Sequence, residues 1–363
     1  MKHVLVLLTI IVLSSACSEK VSPFEEKMNE CMETSIGWRD TSTGIWENAG
    51  WWNSANVLTA LVRYAEVTGR QDLYPIIDDV YSKAKKYQVG VDSLGVPRYC
   101  DNFINDYYDD EGWWALAFIE AEKVTGQKKY LEMAQIIFDD MITGWSDECN
   151  GGIYWRKNPL QYKNSIANNL FSLTAIRLYK ATQDKQYLDW FENNVAWYMQ
   201  TGMINTDIYQ IEDGTDKECQ PNRKQHYTYN QGVAMAVLAE MYLLKKDRQY
   251  LELAEKIAQA TITTQLVTEN GILREMRPEI EKSNDGIQFK GIFIRHLAFL
   301  YDVTKNQLYK DFIIKNAESI ITNDYDPVSK SFGTYWYGPF EEPKSAANSG
   351  ALECVIEAYV FTK

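Results

Sequence analysis

Between residues 105 and 111 the chain reads Asn-Asp-Tyr-Tyr-Asp-Asp-Glu, then Gly112-Trp113-Trp114 and a long apolar run. The adjacent carboxyls of Asp109 and Asp110 point to one chemistry. Cleaving a glycosidic bond takes two carboxyl groups, one to protonate the leaving oxygen and one to act as nucleophile or base. Neighbouring residues place them near the ~5–5.5 Å separation of a retaining double displacement, whereas inversion needs a wider gap to seat water. Repulsion raises the pKa of one member and so keeps a proton on the pair. The positive end of the following helix pulls the other way. A structural role also fits, because Asp is a favoured N-cap and acids suit a first helical turn. Four acids in six residues, set among rings, exceed what a cap requires.

The elements that must position this pair show themselves as a repeat. Apolar segments start at Trp51, Trp113, Asn168, Asn230, Lys290 and Asn348, which makes six copies. A short turn and a striped amphipathic stretch follow each of the first five, built around Leu73, Tyr130, Tyr187, Tyr250 and Tyr309. The spacing of about sixty residues holds two helices and their loops. The six copies are apolar nearly all round, as helices buried on both sides are, while the striped stretches suit an outer layer. Residues 24–36 supply a first outer helix. Six inner and six outer helices in alternation predict an all-α fold, an (α/α)6 barrel, formed by one domain over residues 22–363.

In such a toroid the loops entering the inner helices converge on one end. Those loops, 37–50, 89–110, 144–167, 202–229, 269–288 and 323–347, are long and aromatic, while the opposite turns are short. This predicts an aromatic cleft at one end. Trp155 and Tyr154 are candidate stacking platforms there. The acidic loop Glu212-Asp213-Gly214-Thr215-Asp216 lacks the length and alternation of an EF-hand. It is expected to be a solvated turn, with Asp213 available to line the cleft. His226 is a candidate for substrate contact, and His296, inside an inner helix, reads as a satisfied core residue.

Composition agrees with a glycan partner. The net charge of −13 excludes a nucleic-acid footprint. The 11 Trp and 24 Tyr supply rings that stack on sugars as well as fill cores. Met1-Lys2-His3, the apolar run Val4–Leu13 and Ser14-Ser15-Ala16 before Cys17 read as a leader too short to span a bilayer. Residues 1–16 are thus expected to be a signal peptide. Cys17 is expected to be lipidated, as in a bacterial lipobox, although Leu13 stands one place early. Export permits disulfides, and the five later cysteines leave at least one free. None lies within four residues of another, so a Cys/His metal site has little support.

The blocks NDYYDDEGWWALAFI, GGIYW (Gly151–Trp155), KNSIANNLF (Lys163–Phe171), YTYNQGVA (Tyr227–Ala234) and FKGIFIRHLA (Phe289–Ala298) together resemble glycoside hydrolase family 76. That is the family of endo-α-1,6-mannanases and related fungal wall transglycosidases. The resemblance runs from about residue 37 to the C-terminus and implies an (α/α)6 barrel. It also implies Asp109 as nucleophile and Asp110 as general acid/base. It places Asn168, Asn169, Tyr229 and Gln231 by the cleft, where amides serve sugar hydroxyls or cap helices. With Trp155, Asp213, Phe289 and Lys290 they form the expected substrate-binding set. The reading is a retaining hydrolase of α-1,6-linked mannan, needing no metal or organic cofactor. It has no nucleic-acid partner and meets a membrane only through a lipid anchor. Two alternatives stay open: another sugar enzyme of this barrel type, an unsaturated uronyl hydrolase or epimerase, and a non-catalytic glycan-binding surface lipoprotein.

Overall fold

Alternation of all-round apolar and one-face apolar segments produces two concentric layers of helices. The computed structural model describes residues 22–91, 95–157, 162–223 and 225–363; the expected leader and Cys17 lie outside them. Along the described chain run α1 (Glu25–Gly37), α2 (Trp51–Thr68), α3 (Tyr74–Lys83), α4 (Tyr108–Thr125), α5 (Lys128–Ile142), α6 (Ser165–Thr182) and α7 (Lys185–Tyr198). There follow α8 (Thr228–Lys245), α9 (Arg248–Thr263), the short α10 (Pro278–Glu281), α11 (Gly286–Thr304), α12 (Gln307–Asn323) and α13 (Ser345–Thr362). Helices α2, α4, α6, α8, α11 and α13 each pack on the next, and α13 returns to α2, which closes the inner ring. This is the (α/α)6 barrel.

The hairpins share their punctuation. Inner helices α2 and α4 end on Gly69 and Gly126, whose φ of 71° and 72° is the left-handed conformation of a C-cap. Gln183, Lys246 and Lys305 take the same conformation after α6, α8 and α11. The outer helices α7, α9 and α12 then start on Asp184, Asp247 and Asn306, whose side chains accept from the backbone N–H two residues on. The turns at this end are therefore short. Among the ion pairs of the inner helices, Arg63–Glu357 and Arg177–Glu120 join C-terminal halves, and Arg295–Glu353 lies at mid-helix.

The opposite end carries the long loops and all three two-stranded ribbons: β1 (Gln88–Val91) with β2 (Pro97–Tyr99), β3 (Ile204–Asn205) with β4 (Gln210–Ile211), and β5 (Tyr325–Asp326) with β6 (Ser331–Phe332). A disulfide joins Cys149 to Cys219 across two of these loops, while Cys31, Cys100 and Cys354 are free and buried. The inner helices begin up to five residues before the apolar runs do. Asp109 and Asp110 therefore sit inside the first turn of α4, not in the loop before it.

Candidate active site

Each of four inner helices delivers a ring at its first turns: Trp52 from α2, Trp113 from α4, Tyr229 from α8 and Phe289 from α11. Trp52 stacks on Trp113 with centroids 6.0 Å apart, and Tyr229 lies on Phe289 at 3.8 Å and 9°. Trp113 faces Tyr229 at 6.5 Å, which joins the four into one aromatic floor. A cavity of about 560 Å³ opens above it, lined also by Asp109, Asp110, Trp155, Asp213 and Asp285. That volume lies in the usual range for small-molecule sites. A second hollow continues past Asp110 towards Trp46 and Tyr87, and Trp52, Asp110 and Asp285 line both.

The acidic run divides its labour. The N-cap of α4 is Tyr107, which makes no side-chain cap, so neither Asp109 nor Asp110 is used for capping. Trp155 donates its indole N–H to Asp109 Oδ2 at 2.9 Å, while Oδ1 meets no protein donor. Asn105 donates to Asp110 Oδ2 at 2.7 Å, and the backbone N–H of Tyr107 in turn fixes Asn105 Oδ1. Glu111 turns away from the cavity, fully buried, to accept from Lys157 and from the backbone of Asn105. Burial, with a contribution from Asp285, holds both aspartates above the usual carboxylate range. The neighbouring Asp109 charge then lifts Asp110 further, whereas the Trp155 indole and two backbone N–H groups pull Asp109 back down.

With this geometry in place, the similarity to known proteins is decisive. The sequence profile of Glycosyl hydrolase family 76 matches residues 25–361. The chain belongs to glycosyl hydrolase family 76. Among curated relatives, a putative mannan endo-1,6-alpha-mannosidase of Schizosaccharomyces pombe is 28% identical over 266 residues, covering 69% of this chain and 58% of that protein. Mannan endo-1,6-alpha-mannosidase DCW1 of Candida albicans is 26% identical over 68% of this chain and 57% of its own length. The family 76 chain thus spans less than two thirds of these fungal relatives. The Lin0763 protein from Listeria innocua superposes with a TM-score of 0.80 at 25% identity over 93% of this chain and 97% of its own. The GH76A alpha-1,6-mannanase from Salegentibacter sp. HEL1_6 has the same fold, with a TM-score of 0.81 at 23% identity over 94% and 100% of the two chains.

Of the residues expected in the family 76 site, the structure brings Asp109, Asp110, Trp155, Asp213, Tyr229 and Phe289 to the cavity wall. Asp213 accepts from the Tyr162 hydroxyl at 2.5 Å and from Asn230 at 3.2 Å, and burial raises its pKa. Four others lie elsewhere. Asn168 is buried and clasps the backbone of Ile153, accepting from its N–H at 2.8 Å and donating to its carbonyl at 2.9 Å. Gln231 does the same for Ile211, and Asn169 donates to the Ser165 carbonyl within its own helix. Lys290 is fully buried behind Phe289, where its ammonium donates to Glu281 and to the Thr334 carbonyl. These amides and this ammonium are spent on backbone and loop, so none lines the cavity.

Residues not singled out beforehand fill the places. Trp52, Trp113, Tyr162, Asn164 and Asp285 all line the cavity. The doublets Trp51-Trp52 and Trp113-Trp114 both belong to inner helices, but Trp51 opens α2 whereas Trp113 stands five residues into α4. In each doublet one ring faces the cavity and the other the core, where Trp51 meets Trp114 at 5.7 Å. His226 pairs with Glu212 and is not among the cavity-lining residues, and buried His296 bonds the carbonyl of Ile292 in its own helix.

Proposed function

We propose that the chain is a retaining endo-α-1,6-mannanase whose Asp109 is the nucleophile and Asp110 the general acid/base. The carrying observation is the unequal environment of two adjacent carboxyls above an aromatic floor. Three donors favour the ionised form of Asp109, while the charge beside it favours a proton on Asp110. Asp109 Oδ1, free of protein donors, attacks the anomeric carbon as Asp110 protonates the leaving oxygen. Asp110 then takes a proton from water, which releases the sugar from the glycosyl-enzyme. Trp155, Tyr229 and Phe289 offer faces to the sugar rings, and Asp213 accepts from hydroxyls.

The substrate reading draws on the relatives. The fungal proteins carry the name mannan endo-1,6-alpha-mannosidase, and an inactive variant of the Salegentibacter mannanase was solved with alpha-1,6-mannotetrose. Internal cleavage is supported by the second hollow, because a groove open on both sides of Asp110 admits chain in both directions. We also infer export and a lipid anchor at Cys17. No described helix is long and apolar enough to cross a membrane. Asp109→Asn and Asp110→Asn are each expected to lower hydrolysis of α-1,6-mannan by at least ~10³-fold while the circular-dichroism spectrum stays native. Near-normal turnover by either variant would sink the assignment.

A further inference from the structure

The cavity is lined by four aspartates, Asp109, Asp110, Asp213 and Asp285, and its described lining contains no lysine, arginine or histidine. Outside that lining, Arg156 lies against the Trp155 ring, 5.9 Å from its centroid, and Arg277 pairs with Glu279 at 3.6 Å. Other nearby described cations are engaged elsewhere. Lys157 serves Glu111 and Asp140, and Arg98 pairs with Asp106. Lys290 is held by Glu281, and Arg295 pairs with Glu353 behind Trp113. The described lining of the second hollow has one cation, Lys344, which pairs with Glu342 at 2.6 Å, against Asp40, Glu47, Asp110 and Asp285.

Only two of the four cavity aspartates are needed for bond cleavage. Asp213 cannot rotate away, because Tyr162 and Asn230 each hold one of its oxygens. Asp285 stands just before α11, exposed to the groove, with Trp52 Nε1 donating to its Oδ1 at 3.0 Å. Among the described residues no donor occupies its other oxygen, and it lines both hollows beside Asp110. It therefore sits where the sugars on either side of the cleaved bond must meet.

We propose that Asp213 and Asp285 are specificity-determining residues that make the cavity a charge filter, admitting neutral and cationic sugars and excluding those that bear a phosphate or carboxylate. The inference rests on the mannanase reading and sharpens it: a mannan carrying acidic groups is cut only within its neutral stretches. Sugar hydroxyls and ammonium groups donate hydrogen bonds to carboxylates. An anionic substituent brings acceptors alone, and it meets like charge with no counter-ion among the described lining residues. Tyr107, Tyr162, Tyr227 and Tyr229, the other described titratable groups at the cavity, add phenol donors or acceptors but no positive charge.

Three α-1,6-mannotrioses differing only at C6 of the non-reducing residue test this: the carboxylate, its methyl ester and the 6-amino-6-deoxy sugar. The ester should exceed the carboxylate by ~100-fold in kcat/KM at low ionic strength, and salt should narrow the gap. The amine should at least match the ester. Asp285→Asn, at an exposed position that does not threaten folding, should cut the ester-to-carboxylate ratio to roughly tenfold. Asp213→Asn should also lower it. Equal kcat/KM for carboxylate and ester, or a ratio unmoved in both variants, would overturn the proposal. If the wild type cleaves none of the three, the mannanase reading fails on its own. Calorimetric affinities of the carboxylate and the ester then decide the filter, with the same ratio expected and equal affinities overturning it.

Discussion

Asp109 and Asp110 are one peptide bond apart, yet different side chains reach them. Trp155 comes from the loop between α5 and α6 and donates to Asp109, whereas Asn105 precedes α4 and donates to Asp110. The Trp155 contact sets a pH limit that can be measured. Its hydrogen bond favours the ionised Asp109, so removing it raises the Asp109 pKa. In the proposed mechanism Asp109 must be ionised to attack, so the acid limb of the kcat/KM profile should move to higher pH in Trp155→Phe. The basic limb, which the proposed mechanism assigns to loss of the Asp110 proton, should stay in place, so that the bell narrows from one side only. A hydrogen bond to a charged group contributes ~1.5–3 kcal/mol, so activity at pH 5 should fall by roughly tenfold or more. The loss at the optimum should be smaller. A uniform loss at every pH would mean that Trp155 serves only as a stacking surface.

At the scale of elements, the site depends on how three inner helices, α6, α8 and α13, grip the loops that precede them. Asn168 of α6 clasps Ile153, Gln231 of α8 clasps Ile211, and Asn348 of α13 accepts from the N–H of Phe332. Ile153 lies two residues before Trp155, so the Asn168 clasp positions the indole that meets Asp109. Asn168→Ala strands a buried N–H and a carbonyl and should cost ~2–4 kcal/mol of stability. If the clasp aims Trp155, KM for mannan should also rise several-fold at a temperature where the variant is folded. An unchanged KM would confine Asn168 to stability. The helical repeat and the acidic pair were legible in the sequence, because periodicity and adjacent carboxyls survive without coordinates. The direction of Asn168 and Gln231 was not. A helix buried on every side offers no polar face to point its amides, so they fit a cleft or a loop equally well. Lys290 misled for a related reason: its buried charge is satisfied by Glu281 at the end of α10 and by the Thr334 carbonyl of the loop before α13, and neither pairing shows in the helix's own pattern.

For the whole molecule, the requirement is that six inner helices close a ring small enough for Trp52, Trp113, Tyr229 and Phe289 to touch. Closure on the α8–α11–α13 side is made by backbones in direct approach. A Cβ on Gly291 of α11 would stand 2.5 Å from the carbonyl oxygen of Gly350 in α13 and 2.6 Å from its Cα. On Gly232 of α8 it would stand 2.7 Å from the Cα of Phe293 in α11. Backbone cannot step aside as a flexible side chain can, so an added methyl must push helices apart. Gly350 faces the same interface but has more room, since a Cβ there meets nothing nearer than 3.4 Å. The two glycines therefore make a controlled pair. In a helix, replacing Gly with Ala gains up to ~1 kcal/mol from backbone entropy. Gly350→Ala should keep most of that gain and melt within a few degrees of the wild type. Gly291→Ala should lose ~1–3 kcal/mol net to overpacking. Because Phe289 lies two residues before the clash, its mannan KM should rise as well. Equal melting temperatures for the two variants would show that the ring is not closed by this contact. The aromatic floor would then need another explanation for its tight stacking.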